Sequence, residues 1–277
     1  MHVSHVGGVV RSGAGKAGIG LLALVAFLAV AGPLISQDPT LETENVLRAP
    51  SSGHLLGTNE VGQDVWARLA SGAKTSIFMA LGVGFLSTIL GALIGITAGL
   101  AGGLLERTAM RTADVLLVIP SIVLLILLSA YIEPGVAGLI VLISVLHWPA
   151  GARVLRSQTL TLKNRPHVHA SRTFGAGMGH IIRRHILPDL GPLLVVSFIH
   201  RARTGVFMEA GLAFIGITAP GVVSWGTMIR NALSFYYTPA WSWWLLPPGL
   251  CLSLLILGLL LLGHSLEKVM DPRLKDA

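Results

Sequence analysis

Charge is scarce in this 277-residue chain: Asp, Glu, Lys and Arg make up 12% of it, against 53% hydrophobic residues. A soluble domain of this size needs a charged surface, so most of this chain must face lipid. Cysteine is almost missing. A single Cys251, inside an apolar run, excludes a disulfide framework within the chain and an all-cysteine metal site. Nucleotide-binding motifs are missing too. Gly13-Ala14-Gly15-Lys16 looks faintly like a phosphate loop, but it lacks the first glycine at the right spacing and the final Ser or Thr. No convincing internal repeat is present. The apolar runs hold no nucleophile–base pair and no metal motif, as an intramembrane enzyme would need. A secondary transporter would need intramembrane acids for ion coupling. Glu209 is the one good candidate, because Asp114 sits at the edge of a run.

What the chain does have is a series of long apolar runs: residues 18–35, 75–100, 115–131, 136–148, 190–217 and 245–262. A bilayer is spanned by about 17–20 apolar residues. The first run follows Arg11 and Lys16 and contains Ala29-Val30-Ala31, features of a signal peptide. Its length and the further runs favour an uncleaved first helix. The second is dense in glycine (Gly82, Gly84, Gly91, Gly95, Gly99), which lets helices pack closely in lipid. The third contains Pro120, tolerated where neighbouring helices re-satisfy the freed backbone. The fourth is short unless it extends to about Leu155. The fifth is interrupted by His200, Arg201, Arg203 and Glu209, and Pro247-Pro248 suit the first turn of the sixth. The expected fold is all-α and membrane-integral, with six transmembrane helices.

The divisions expected are 1–17 as N-terminus, 18–35 as first helix, 36–74 as an extracytoplasmic segment, 75–265 as a five-helix core and 266–277 as tail. Lys and Arg set the orientation. The segment 1–17, the connection 102–114, the stretch 149–192 and the tail hold fourteen of them; the opposite segments 36–74 and 218–244 hold three and one. Both termini are therefore expected in the cytoplasm, and the +7 charge reflects topology rather than nucleic acid. The acids Asp38, Glu42, Glu44, Glu60 and Asp64 form either a docking face or a solvated one. Trp225 and Trp241 to Trp244 either line a ligand path or anchor at the interface, with anchoring preferred.

One hydrophilic stretch organises the rest. Residues 151–190 carry Arg153, Arg156, Lys163, Arg165, Arg172, Arg183 and Arg184 against one acid, Asp189. Residues 168–173 and 178–186 read as short helices, separated by Gly175 and Gly177 and ended by Pro188. That predicts a helix–turn–helix knob on the cytoplasmic face, suited to a groove in a soluble partner. His167, His169, His180 and His185 have no evident carboxylate or cysteine support, so solvated or subunit-facing roles are expected rather than a metal site.

The spacing in this knob resembles the coupling loop, or EAA loop, of permease subunits in binding-protein-dependent ABC importers. That pattern is Glu-Ala-Ala, a glycine after three further residues, and a short apolar stretch ending in Leu-Pro. Ala170, Gly175, Leu187 and Pro188 match, while His169 replaces the acid and Ser171 the second alanine. Residues 54–68, from His54-Leu55-Leu56-Gly57-Thr58-Asn59 to Gln63-Asp64, resemble the segment before the second span in the dipeptide, oligopeptide and nickel branch. The usual form there has Asp at position 59 and Arg at position 63. Residues 209–217, with Ala219-Pro220 and Ser224-Trp225-Gly226, resemble the end of the fifth span, and Asp271-Pro272-Arg273 fits the usual ending. Order and length resemble the second, C-type permease of a pair.

The resemblance implies a non-catalytic permease in a bacterial inner membrane. It implies a homologous second permease, two ATP-binding subunits that hold ATP and Mg, and an extracytoplasmic substrate-binding protein. No cofactor is expected in this chain and no nucleic-acid partner. It also implies that His169, Ala170, Ser171, Gly175, Ala176, Gly177, His185, Leu187 and Pro188 form the contact with the ATPase. Nickel or a metal chelate is slightly favoured as substrate over di- and oligopeptides. His200, Arg203 and Glu209 are candidates for a pathway lining; the alternative places the first two near the cytoplasmic interface.

Overall fold

The computed structural model describes residues 12–218 and 221–270. Arg11, Ala219-Pro220 and Asp271-Pro272-Arg273 lie outside the described residues. Among those described every regular element is helical, and one isolated antiparallel bridge joins Thr58 to Asp64.

Helix α1 (Gly13–Ala31) starts at Ser12, whose side chain accepts from the Gly15 N–H at 2.9 Å. A 3-10 turn with Pro33 ends it. Helix α2 (Val65–Ala101) has 37 residues, so it is about 55 Å long and exceeds a bilayer core of about 30 Å. It begins well before residue 75. Asp64 caps it, accepting from the Ala67 N–H at 2.8 Å. Its first turns carry Arg68 and Lys74 and belong to the polar segment, so an apolar-run criterion sees only its lipid-facing part.

Gly102 and Gly103, both at positive φ (69° and 61°), turn the chain into α3 (Gly103–Val118). The third span is a correction to the sequence reading: Ile119-Pro120 breaks it into α3 and α4 (Ser121–Ile132), bent by 87°. The connection expected at 102–114 is itself helical. Helix α5 (Val136–Lys163) runs far beyond Trp148, with Pro149 inside it. The short helices α6 (Pro166–Thr173) and α7 (Met178–Ile181) follow. A π-helical turn (Ile182–Ile186) then leads into α8 (Leu187–Phe214). Helices α9 (Trp225–Leu233), α10 (Trp241–Trp244) and α11 (Leu246–Met270) complete the chain.

Among the described residues four helices are long and apolar enough to cross a membrane, and the bent α3–α4 pair makes a fifth if it counts as one span. Helix α8 has spanning length at 28 residues, but Asp189, Arg201, Arg203 and Glu209 keep its composition outside that group.

Helix α2 lies between α5 and α8, and small residues set both contacts. A Cβ on Gly95 would sit 2.5 Å from the Ala152 carbonyl oxygen; one on Gly99 would sit 2.9 Å from Thr159 Cβ. Gly91, one turn earlier, faces Trp148 and Ala152 at 3.4 Å. Glycines at every fourth position thus bring the α2 backbone onto α5. On the other side, a Cβ on Gly205 of α8 would reach 2.6 Å from Val83. The aromatic loop is pulled into this core. Trp225 and Trp244 are 0% and 1% exposed, and Trp225 Nε1–H donates to the Leu69 carbonyl at 3.0 Å. These two indoles are core residues, neither interface anchors nor path lining.

The seam makes a stability prediction. Gly95→Leu forces α2 and α5 apart and lowers stability by about 1–3 kcal/mol, measured as a lower melting midpoint of the detergent-solubilised protein. Gly20→Ala on α1, where an added Cβ meets nothing within 4 Å, does not lower that midpoint and raises it slightly through helix propensity.

Candidate functional site

The knob is built by α6, α7 and the π-turn. Pro166 opens α6, where its missing N–H costs nothing. The helix ends in a Schellman motif: Gly175 N–H donates to the Arg172 carbonyl at 2.9 Å, and Ala176 N–H to the Ser171 carbonyl at 3.0 Å. Gly175 takes φ +82° there, with open space around it. Its requirement is therefore conformational rather than steric. Ser171 Oγ–H donates to the His167 carbonyl at 2.9 Å, so the 3.0 Å contact with His185 is an Nε2–H donated to Ser171. That bond ties the two arms of the knob together.

Pro188 does not end the second arm, contrary to the sequence expectation. Leu187 N–H reaches back to the Ile182 carbonyl, a five-residue step, and Pro188 occupies the first turn of α8. A proline cannot donate to the preceding turn, and the wider π-turn absorbs the mismatch. The arm is continuous with α8. Underneath, Val168, Ile181, Ile186 and Leu190 are buried against Ile96, Leu100, Leu155 and Leu162 of α2 and α5. His169, Ala170, Gly177, Leu187 and Pro188 are exposed, as are Phe174 (90%) and Met178 (47%). The sequence reading missed Phe174, although an aromatic beside a turn glycine was a visible signal.

Three of the seven cations of the basic stretch belong to α5. Arg153 and Arg156 lie on α5 and pair with Asp114 and Glu106 of α3. Lys163 Nζ donates to the Gly99 carbonyl at 2.8 Å, near the C-terminus of α2, where a cation is favoured. Arg165 meets Asp189 at 3.0 Å at the foot of the knob, an exposed pair of small energetic weight. His167 and His180 approach His185 at ring-centroid distances of 5.5 and 6.0 Å. Among the described residues no group of three or more His, Cys, Asp or Glu has metal-binding placement.

The charged residues of α8 diverge. His200 Nε2 meets Glu267 of α11 at 2.7 Å, both about half exposed. Arg203 is partly buried with no ion-pair partner among the described residues. Glu209 is 5% exposed and faces Ser224, the cap of α9; one of its oxygens lacks a partner among the described residues. His200, Arg203 and Glu209 therefore have no partner in common among the described residues. Arg201, the charged residue between His200 and Arg203, turns toward α5 and donates to the His147 carbonyl.

The segment before α2 is folded around buried polar groups. Asn59 Oδ1 accepts from Gln63 N–H at 2.7 Å and from Val61 N–H at 3.2 Å, while Asn59 Nδ2 donates to Gln63 Oε1 at 2.9 Å. The two positions that hold Asp and Arg in the usual form of this segment thus meet as a neutral amide pair. Thr58 holds the Asn45 carbonyl and the Arg48 N–H, and His54 meets Asp64 at 2.9 Å. Asp38 accepts from Thr40 and is held below the usual carboxylate range. Glu60 is half-buried, and burial pushes its carboxyl above that range.

Comparisons with known proteins agree with this architecture. Residues 91–276 match the family described as the binding-protein-dependent transport system inner membrane component. The chain is 34% identical over 264 residues to the dipeptide transport system permease protein DppC of Bacillus subtilis, covering 94% of this chain and 82% of that one. A Brucella suis protein provisionally named a peptide transport system permease is 37% identical over 265 residues (94% and 88%). A second B. suis protein, provisionally named a peptide permease, is 37% identical over 226 residues (81% and 75%).

Glu60 gives the outer segment a pH signature. Its folded-state pKa is raised, so folding favours the protonated form; stability is gained as pH falls through the folded value and lost as pH rises through it. Glu60→Gln removes that burden. The variant melts above wild type at neutral pH, and the gap closes as the melts are taken toward pH ~4.5.

Proposed function

We propose a function from one premise: the chain belongs to the binding-protein-dependent transport system inner membrane components. It is a non-catalytic, multi-pass permease subunit of the inner membrane. Within that family it moves di- or oligopeptides. The names of its relatives support the peptide reading over nickel or a metal chelate, which the sequence slightly favoured. An extracytoplasmic binding protein delivers the solute. A homologous second permease forms the other wall of the path, and two ATP-binding subunits supply ATP and Mg, with none held here. Both termini and the knob face the cytoplasm.

The observation that carries the coupling role is the build of the knob. An exposed tip of Ala170, Phe174 and Met178 stands on a buried foot that is packed against α2 and α5, and its second arm continues into α8. A push on the tip is passed to three long helices as a rigid-body displacement, because packed interfaces move as units. His169 is exposed at the tip, where the family's acid stands. An ATP-binding subunit that docks here meets an imidazole in place of a carboxylate.

The test is dipeptide uptake by the reconstituted complex with its binding protein, with nickel in parallel. Gly175→Pro removes the N–H given to Arg172 and cannot adopt φ +82°, at a cost of about 1–3 kcal/mol to the turn. It lowers uptake about tenfold or more per ATP hydrolysed, and Ala170→Asp does the same through the docking face. Dipeptide uptake that persists without the ATP-binding subunits refutes the importer, and nickel uptake alone refutes the peptide.

A further inference from the structure

The break between α3 and α4 borders a cavity of about 190 Å³ that the coupling knob does not touch. Two prolines shape it. Pro120 separates α3 from α4 at the 87° bend, and Pro149 removes one N–H from the middle of α5. Pro120, Ser121, Leu146, His147, Ala150 and Arg201 lie on its wall.

Arg201 crosses from α8 to reach it. Its guanidinium donates to the His147 carbonyl and lies over Gly151, where an added Cβ would stand 2.6 Å from Nη2. Only a residue without a side chain admits the guanidinium there. No carboxylate pairs with Arg201 among the described residues: on its own helix Asp189 meets Arg165 and Glu209 faces Ser224, and on neighbouring helices Glu106, Asp114 and Glu267 are taken by Arg156, Arg153 and His200. Most of its five donors are unspent. His147 is fixed by its own bonds. Nδ1–H donates to the Ile143 carbonyl at 2.8 Å, and Nε2 faces the Ser121 hydroxyl at 3.5 Å. The cavity therefore holds one permanent cation, one orienting imidazole and no anion.

An unpaired guanidinium in this setting is costly to keep, and intramembrane cations of this kind face a cavity or a partner. The planar fork matches a carboxylate. Arg201 lies fourteen residues beyond Leu187, about 21 Å along α8 from the knob.

We propose that this cavity is a carboxylate-binding site for the transported solute, with Arg201 as the anchoring group and His147 as the residue that positions it. The naming of a peptide as that solute rests on the proposed function; the carboxylate chemistry does not.

The reconstituted complex distinguishes the two. With the binding protein pre-loaded to saturation, uptake of alanyl-alanine is compared with that of alanyl-alanine amide for wild type, Arg201→Gln and Arg201→Lys, each checked for co-purification with its partner subunits. Wild type favours the free acid by about tenfold. Arg201→Gln abolishes the preference and Arg201→Lys keeps part of it. A preference unchanged in Arg201→Gln overturns the site. So does equal loss in both variants together with failed co-purification, because the contact with His147 is then only structural. If wild type carries neither dipeptide nor its amide, the peptide reading fails, and the same variants are assayed with nickel citrate, whose ligand is a carboxylate. Loss of that uptake in Arg201→Gln keeps the site; uptake indifferent to residue 201 overturns it.

Discussion

The seam between α2 and α5 holds the rest of the molecule in place. In lipid no hydrophobic force draws two apolar helices together, so close backbone approach and dispersion must do it. Gly91, Gly95 and Gly99 provide that approach along three successive turns, against Trp148, Ala152 and Thr159. The consequences run in both directions along the seam. At one end Lys163 reaches the last carbonyls of α2, and the knob seats itself on Ile96, Leu100, Leu155 and Leu162. On the far side α2 presents Val83 and Gly84 to Gly205, Phe198 and Ala202 of α8. A helix longer than the bilayer thus serves as the rail on which both the knob and the charged helix ride.

Charges on this rail were hard to assign from sequence because their partners are far away in the chain. Arg153 and Arg156 read as part of a cationic loop, yet each meets an acid of α3, dozens of residues earlier. Likewise His200 finds Glu267. Residues 200, 201 and 203 could be placed on a helix from their spacing, but which of them faces the bundle depends on the rotation of α8. That rotation is set by Gly205 against Val83, a contact that periodicity cannot show.

Other features were legible because they depend on local chemistry. The interval from Ala170 through Gly175 to Pro188 foretold a helix, a glycine turn and a second helix, and the Schellman bonds explain why glycine is needed at that place. The glycine-rich second run foretold close packing. Boundaries failed where polarity masked a helix. The first turns of α2 and the last turns of α5 carry cations in helical conformation, since their carbonyls and amides are satisfied within the helix whatever the side chains face. Pro120 marked a break that the sequence reading took for a tolerated kink; with Ile119 in extended conformation, the chain turns instead.

The π-turn is where these pieces meet. Pro188 withholds a donor at the start of α8, and an ordinary arrangement there would leave a carbonyl of the knob unpaired beside a helix end. Widening one turn to a five-residue bond, Leu187 to Ile182, lets the chain pass from knob to α8 without a loop. A loop would absorb displacement; a continuous helix transmits it. Under the proposed coupling, a shift of the knob is delivered along α8 to Arg201 and hence to His147 on α5, which lies beside the α3–α4 break. Helix α8 is kept in register by small residues against α2 and by buried apolar side chains such as Ile199, Val206 and Leu212, so it carries its charges as part of the packed bundle. The same proline that appeared to end the knob stands in the first turn of the helix that carries Arg201.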